Sequence, residues 1–387
     1  MSVRNYAESH PTVRISTKRF EASPFLERYA TEDTVFGVYS GRLYPLSLGS
    51  DVVADYWQLR RQAALFDVPE RPLLVEGPDA ERLLDLMFVC DVTSLSPGRA
   101  RYAIACDNNG GVLMDGVLIR HSADRFWYVM ADGDFVGWIR AHAVGMDVRV
   151  EDADSWVAQI QGPASLNVLE AACEQGLPQP FGYFAVARVA MAGQEVMVTR
   201  TGWSGELGFE VYTAPGIDGG ALWDHLVAVG RPLGLVVQAL GSLGIRRVEA
   251  GILDNGTDMN PSMTPFAAGL GKFVNFEGAD FIGRDALARP GLERRPRLLG
   301  LSCPSTTPVP GAVVTIGGTA IGRVTAGAWS PFLGVGIGYM VMDQPPKTPE
   351  IDGVVVGLGA EAVPASIVSL PFYDAERKIP RGLEVMP

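Results

Sequence analysis

The chain is expected to fold as an α+β protein, two lobes of mixed strands and helices followed by a small all-β domain. Three observations carry that expectation. Two segments, LLVEGPDAERLLDLM (Leu73 to Met87) and VAQIQGPASLNVLEAA (Val157 to Ala172), share one plan: an apolar strand passes through Gly-Pro into an amphipathic helix. Between them, YAIACDNNGGVLMDGVLIR is broken by Asp107-Asn-Asn-Gly-Gly, a strong hairpin signal. After Gly283-Arg-Asp-Ala-Leu-Ala-Arg-Pro the chain turns to Gly, Pro, Val and Thr, with short strands such as AVVTIGG and ASIVSL.

Taken in order, each element has a local reason. In the twin segments Pro suits the first helical turn, where no amide donor is lost. Apolar residues then recur at helical spacing, Leu83, Leu84 and Met87 in one and Leu166, Val168 and Leu169 in the other. The pair stands equally for a duplicated lobe or for reuse of a common strand-turn-helix unit. ALWDHLVAVGRPLG (Ala221 to Gly234) reads as a third helix, ended by glycine and proline. The last domain boundary falls near Pro290 to Arg297.

Composition bounds the function. A chain of 387 residues is long enough for two or three domains. It contains no run of 18 apolar residues, so no membrane span is expected. MSVRNYAESHPTVRISTKRF lacks the apolar core of a secretory signal. The four cysteines (Cys90, Cys106, Cys173, Cys303) are scattered, the pattern of reduced thiols in a cytoplasm rather than a disulfide framework or zinc site. None of the four histidines (His10, His121, His142, His225) stands at ligand spacing, so no metal site is expected. A net charge of −12 argues against general nucleic-acid binding, while leaving room for a local basic pocket that holds a polyanionic cofactor tail.

RTGWSGELGFEV (Arg200 to Val211) is the most informative stretch. Glycines there shape a turn between two strands, and the turn carries Trp203 and Glu210. It reads either as an ordinary hairpin or as the wall of a site for a flat, hydrogen-bonding ligand. Asp115, in GGVLMDGVLI, interrupts an apolar strand, where Asp is disfavoured. It is either a structural Asp or a working carboxylate. GLGAEA (Gly357 to Ala362) imitates a dinucleotide fingerprint but lacks the strand-helix context, and Ser204 lacks the spacing of a nucleophile elbow.

Together these segments resemble the tetrahydrofolate-dependent aminomethyltransferase family, which includes the glycine cleavage T-protein and the dimethylsulfoniopropionate demethylases. RTGWSGELGFEV resembles the family's RTGYTGEDGFE, with Trp203 at the Tyr and Glu210 at the last Glu. NNGGVLMDGVLI is similar to NxxGGxxDDLIV, whose second Asp, the family's catalytic carboxylate, falls on Asp115; Met114 replaces the first. VVADYWQLRRQAALFDV, DVTSLSPGRARY, RRVEAGILDNGTDMNPSMTPFAAGLGKFV, FIGRDAL and GRVTAGAWSPFLG extend the likeness from about Tyr44 to Tyr339. The DYW and RRVEAG elements lie nearer the demethylase pattern.

The resemblance implies a T-protein-like three-domain arrangement. Residues 1–55 and 150–290 would form a folate-binding lobe, 56–149 a second lobe carrying the catalytic Asp, and 295–387 a β-barrel or jelly-roll-like domain. It implies tetrahydrofolate as cofactor, Asp115 as catalytic residue, and Tyr102, Tyr183, Phe184, Trp203, Glu210 and Arg247 around the pterin. Glu210 offers two acceptor oxygens to a pterin edge that presents two donors, and Trp203 offers a face for stacking. Tyr102 could equally be a core residue, and Arg246 and Arg247 a solvated helix face. Trp203 or Trp57 would suit a cationic donor through a cation–π contact of about 0.5–2 kcal/mol.

The sequence also departs from the family. Ser242-Leu-Gly stands where the T-protein has Ala-Arg-Asp, Ala267 stands for a Glu, Asn255 for a Tyr, and DVPERP for a DVSH-type stretch. The first loss favours a methyltransferase or demethylase that moves a methyl group from a small S-, N- or O-methylated donor to tetrahydrofolate. Aminomethyl transfer of the glycine-cleavage type, with a lipoyl-carrier partner, is the alternative, and a non-catalytic folate-binding protein is a third. A homodimer is compatible with each; nucleic acid and membrane are not expected partners.

Overall fold

A computed structural model of the chain describes residues 16–347, 351–358 and 361–385. His10 and most of the segment judged not to be a secretory signal lie outside the described residues, as do residues 359 and 360 of GLGAEA. That motif spans the end of one barrel strand and the start of the next.

Two sheets and a barrel organise the molecule. The first sheet has five antiparallel strands in the spatial order Arg99–Cys106, Val112–Arg120, Arg125–Met130, Arg71–Glu76, Arg149–Asp152. The second has six, in the order Val186–Met191, Gln194–Thr199, Gly208–Tyr212, Val157–Gln161, Ala63–Val68, Leu235–Val237, with only the last pair parallel. A hairpin, Val35–Tyr39 with Arg42–Ser47, precedes both. The C-terminal strands Leu298–Cys303, Val335–Met342, Thr319–Ser330, Val313–Ile316, Ile351–Leu358 and Glu361–Val368 close into a barrel in that order. The fold is thus α+β with a closed C-terminal barrel. The strand Ala63–Val68, on the second-lobe side of a division at residue 56, joins the six-stranded sheet because it pairs with Val157–Gln161. Arg149–Asp152 stays in the five-stranded sheet through its pairing with Arg71–Glu76.

The twin units both form. Helices Ala80–Met87 and Ser165–Ala172 follow strands Arg71–Glu76 and Val157–Gln161. Each proline precedes its helix instead of entering the first turn. It occupies the second position of a closed turn, Ala80 N–H to Gly77 O and Ser165 N–H to Gly162 O, both 3.0 Å, where its fixed φ is favourable. Both glycines are needed. Gly77 has φ +141° and a Cβ there would meet the Asp147 carbonyl at 2.4 Å; Gly162 has φ +115° and a Cβ would meet the Leu59 and Gln62 carbonyls at 2.5 Å.

Strand alternation decides what each face does. In the five-stranded sheet Leu118, Tyr128 and Met114 pack under the helices with Leu83, Leu84, Met87 and Ile139. In the six-stranded sheet Ile160, Val198 and Val211 pack under Leu169, Leu222 and Leu226. The opposite faces meet each other, Phe66, Val68 and Val157 of one sheet against Leu74, Ile119, Trp127 and Val129 of the other. Two sheets, each helix-covered on the outside, therefore share an inner face. Among the described residues no helix is long and apolar enough to cross a membrane.

Candidate active site

Polar residues that interrupt these strands fall on the shared face, for a reason of period. Asp115 has the parity of Val117 and Ile119, and Glu210 that of Tyr212. Gln159 has the parity of Val157, Thr199 that of Met197, and Tyr102 that of Ala100. A shift of one residue in any strand would bury them under helices instead.

Asp115 is 8% exposed. The Tyr102 hydroxyl donates to its Oδ2 at 2.8 Å, while Oδ1 is buried without a partner among the described residues. Burial first, then the nearby Asp254 charge, raise the carboxyl to about 6; the Tyr102 hydroxyl and the Asn255 side chain act the other way. Tyr102 thus both holds Asp115 and packs in the interior, its ring edge-on to Phe273 at 4.8 Å.

Glu210 is 6% exposed and heavily engaged. Its Oε2 accepts from the hydroxyls of Thr201 at 2.6 Å, Tyr212 at 2.7 Å and Thr199 at 3.3 Å, and its Oε1 from Gln159 Nε2 at 2.8 Å. The two-oxygen contact expected of Glu210 is therefore closed on the Oε2 side by these hydroxyls. Gln159 Nε2 also donates to Glu70 Oε1 at 3.1 Å, so one amide joins two carboxylates. Burial, with the Glu210 charge second, pushes Glu70 up to about 8.

The loop Arg200–Leu207 is built around Gln161. A Cβ at Gly202 or Gly208 would meet the Gln161 side chain at 2.3 or 2.0 Å, and the Ser204 hydroxyl donates to its Oε1 at 2.6 Å. Only Gly205 of the three has positive φ, +67°, so close packing explains the other two better than backbone freedom does. Ser204 is fully buried, which leaves it no access to a substrate. The half-buried Trp203 carries the Arg247 guanidinium 5.2 Å from its ring centre. Trp57 likewise carries Arg61 at 4.4 Å.

Tyr183 and Phe184 form an edge-to-face pair at 4.7 Å, pinned to both sheets. The Ala100 amide donates to the Phe184 carbonyl and the Phe184 amide to the Arg200 carbonyl. Phe184 has φ +61°, a costly backbone for a bulky residue, held by those bonds. Arg246 and Arg247 do not form a solvated face. Arg247 pairs with buried Asp258 at 2.6 Å, and Arg246 with Glu206 at 2.8 Å and with Glu249.

Sequence reasoning flagged Asn255 and the DVPERP stretch only as departures. The structure brings Asn255 beside Asp115 and Glu70 beside Glu210. Ala267 works through its backbone: its carbonyl receives the amides of Arg297 and Leu298. Ser242 is buried and donates to Gln238 Oε1 at 2.8 Å. Among the described residues no three His, Cys, Asp or Glu side chains gather as a metal site, and all four cysteines are free thiols.

Two sheets share an inner face that carries this polar cluster, and a closed barrel follows them. Family models for the GCVT N-terminal domain and the glycine cleavage T-protein C-terminal barrel domain match residues 26–278 and 297–374. The chain belongs to the glycine cleavage T-protein family. It is 34% identical over 352 residues to an aminomethyltransferase of Streptomyces avermitilis, covering 88% of this chain and 94% of that one. It is 33% identical over 318 residues to a dimethylsulfoniopropionate demethylase of Ruegeria pomeroyi, covering 80% and 85%. The crystal structure of the glycine cleavage system aminomethyltransferase T of Bartonella henselae superposes with a TM-score of 0.81 at 26% identity, covering 92% of this chain and 98% of that one.

Proposed function

We propose that the chain transfers a one-carbon unit between a small donor and tetrahydrofolate in the cleft between the sheets, with Asp115 as the catalytic carboxylate. The observation that carries this reading is the buried, unpartnered Oδ1 of Asp115 beside its Tyr102-bound Oδ2. The Asn255 amide stands beside it, but Oδ1 and Asn255 Nδ2 are each left without a hydrogen-bond partner among the described residues, so the pair calls for groups from a ligand. The surroundings fit a reduced pterin: half-buried Tyr102, Tyr183, Phe184 and Trp203 offer ring faces, and Glu210 Oε1, which accepts a single bond, offers an acceptor. Lys272, held below its usual value by burial and by Arg377 and Arg381, forms with them a basic group suited to a carboxylate tail.

When bound, tetrahydrofolate supplies the nitrogen that takes up the carbon unit. Asp115 orients a donor or cofactor N–H and exchanges a proton with it at Oδ1. Tyr102 fixes the carboxylate, and the paired sheets keep water out. Orientation of this kind contributes several kcal/mol to lowering a barrier, on the order of a near-attack arrangement.

Aminomethyl transfer stands first, because the S. avermitilis relative and the B. henselae structure carry that name. Removal of a methyl group from an S-, N- or O-methylated donor stands second. Ser242-Leu-Gly at the start of the helix Gly241–Glu249 lacks the Arg and Asp of the T-protein pattern, and the demethylase relative is nearly as similar. Mass spectrometry separates the two. Incubation with tetrahydrofolate and an aminomethyl-lipoyl carrier is expected to give 5,10-methylene-tetrahydrofolate; 5-methyltetrahydrofolate from a methylated-donor panel supports the second reading. Folate binding without either product would speak for a non-catalytic protein.

A further inference from the structure

A cavity of about 250 Å³ opens at the rim of the molecule away from Asp115. Trp127, which lines it, pairs with Ile119, four residues beyond Asp115 on the same strand. That spacing is roughly 13 Å at about 3.3 Å per residue. Tyr212 stands between the two places: its hydroxyl donates to Glu210 Oε2 at 2.7 Å, and its ring meets Trp127 edge-on at 6.1 Å. The cavity floor is buried and largely apolar, made by Leu74, Trp127, Met197 and Tyr212. The rim is charged. There Asp152 is taken by Arg71, and Glu195 by Arg188 at 2.6 Å, while Asp154 is exposed to solvent.

The unmatched groups of the lining are donors. Trp127 Nε1 and Arg125 Nε are buried without a hydrogen-bond partner among the described residues, and no carboxylate oxygen of the lining is in that state. Trp127 is 7% exposed, and an indole N–H can only donate, so its partner has to be an acceptor brought from outside. Arg188 approaches from the other sheet. His121 lies edge-on to Trp127 at 5.0 Å, and burial, then the charges of Arg188 and Arg125, hold it down to about 4 and therefore neutral. Two cations thus meet beside the indole. We propose that this cavity binds a small carboxylate with a flat apolar body, its ring against Trp127 and Tyr212 and its carboxylate accepting from Trp127 Nε1 and Arg125 Nε. Charge-assisted bonds of this kind are the strong ones. Asp154 opposes the ligand only from the rim, where salt and water screen it. The site does not depend on what the cleft at Asp115 holds.

Ligand-observed NMR titration of the full chain with benzoate, benzyl alcohol and benzylamine tests this. The wild type is expected to bind benzoate saturably and at least about tenfold more tightly than the neutral or the cationic probe. Trp127→Phe keeps a ring and removes the N–H; it should weaken benzoate about tenfold and leave benzyl alcohol nearly unchanged, and Arg125→Met should do the same. Ala153→Leu, in the cavity wall, should weaken both probes by filling the space. A thermal melt checks that each variant is folded, and Arg125→Met at the half-buried rim carries the test if Trp127→Phe is not. A wild type that does not bind benzoate, or that binds all three probes alike, would overturn the proposal. Undiminished benzoate affinity in the folded Trp127 and Arg125 variants would overturn it too, since the carboxylate would then lie elsewhere.

Discussion

Asp115 sits where its charge state is set by a few neighbours. Burial raises its carboxyl to about 6, against the pull of the Tyr102 hydroxyl and the Asn255 side chain. A carboxylate that works ionised is lost as pH falls through its pKa, so turnover should decline below about pH 6. Tyr102→Phe removes a donor that favours the ionised form, which moves that acidic limb of kcat/KM to higher pH. A pH–rate profile checks this, and an unmoved limb in Tyr102→Phe would contradict it. Asp115 was legible in the sequence because a lone Asp breaks an apolar strand. Asn255 and Glu70 were visible only as mismatches. Each lies in an irregular segment, and their approach to Asp115 and Glu210 comes from the packing of two sheets, which no local pattern encodes.

At the scale of elements, a buried ionic network ties the helix Val52–Arg61, the Trp203 loop, the helix Gly241–Glu249 and the barrel together. Glu206 pairs with Arg60 at 3.1 Å and Arg246 at 2.8 Å. Glu249 pairs with Arg246 and receives the hydroxyls of Tyr56 at 2.8 Å, Ser330 at 2.5 Å and Tyr373 at 2.6 Å. Glu249→Ala would leave two buried guanidinium groups with half their countercharge. The expected loss is about 3–5 kcal/mol, read as a lower denaturant midpoint; a change within experimental error would show that the network carries no stability. The twin strand-turn-helix units and the Asp107–Gly111 hairpin were legible because glycine, proline and periodicity act locally. The role of Arg246 was not. Two adjacent arginines on a short helix look like a wet face until the loop and the barrel close over them.

At the scale of the molecule, the barrel grips the site from behind. The Tyr339 hydroxyl lies 2.9–3.1 Å from the carbonyls of Arg247, Val248 and Ile252, at the end of the helix that carries Arg247. Thr325 of the barrel donates to Asp258, which pairs with Arg247, which covers Trp203. The change of composition beyond residue 283 announced a β domain, but its docking depends on contacts distant in sequence. The chain carries a net charge of −12, yet burial and then the charges of Arg377 and Arg381 hold Lys272 below its usual value, and both arginines act on Tyr183. The proposal that the cleft between the sheets holds a folate rests on the inner face and on the barrel contacts behind it. Titration of tetrahydrofolate followed by intrinsic tryptophan fluorescence, to which Trp203 contributes, tests it most directly. Saturable quenching in the wild type, retained in Asp115→Asn and weakened at least about tenfold in Glu210→Ala, is the predicted result. No saturable binding, or unchanged affinity in Glu210→Ala, would contradict it.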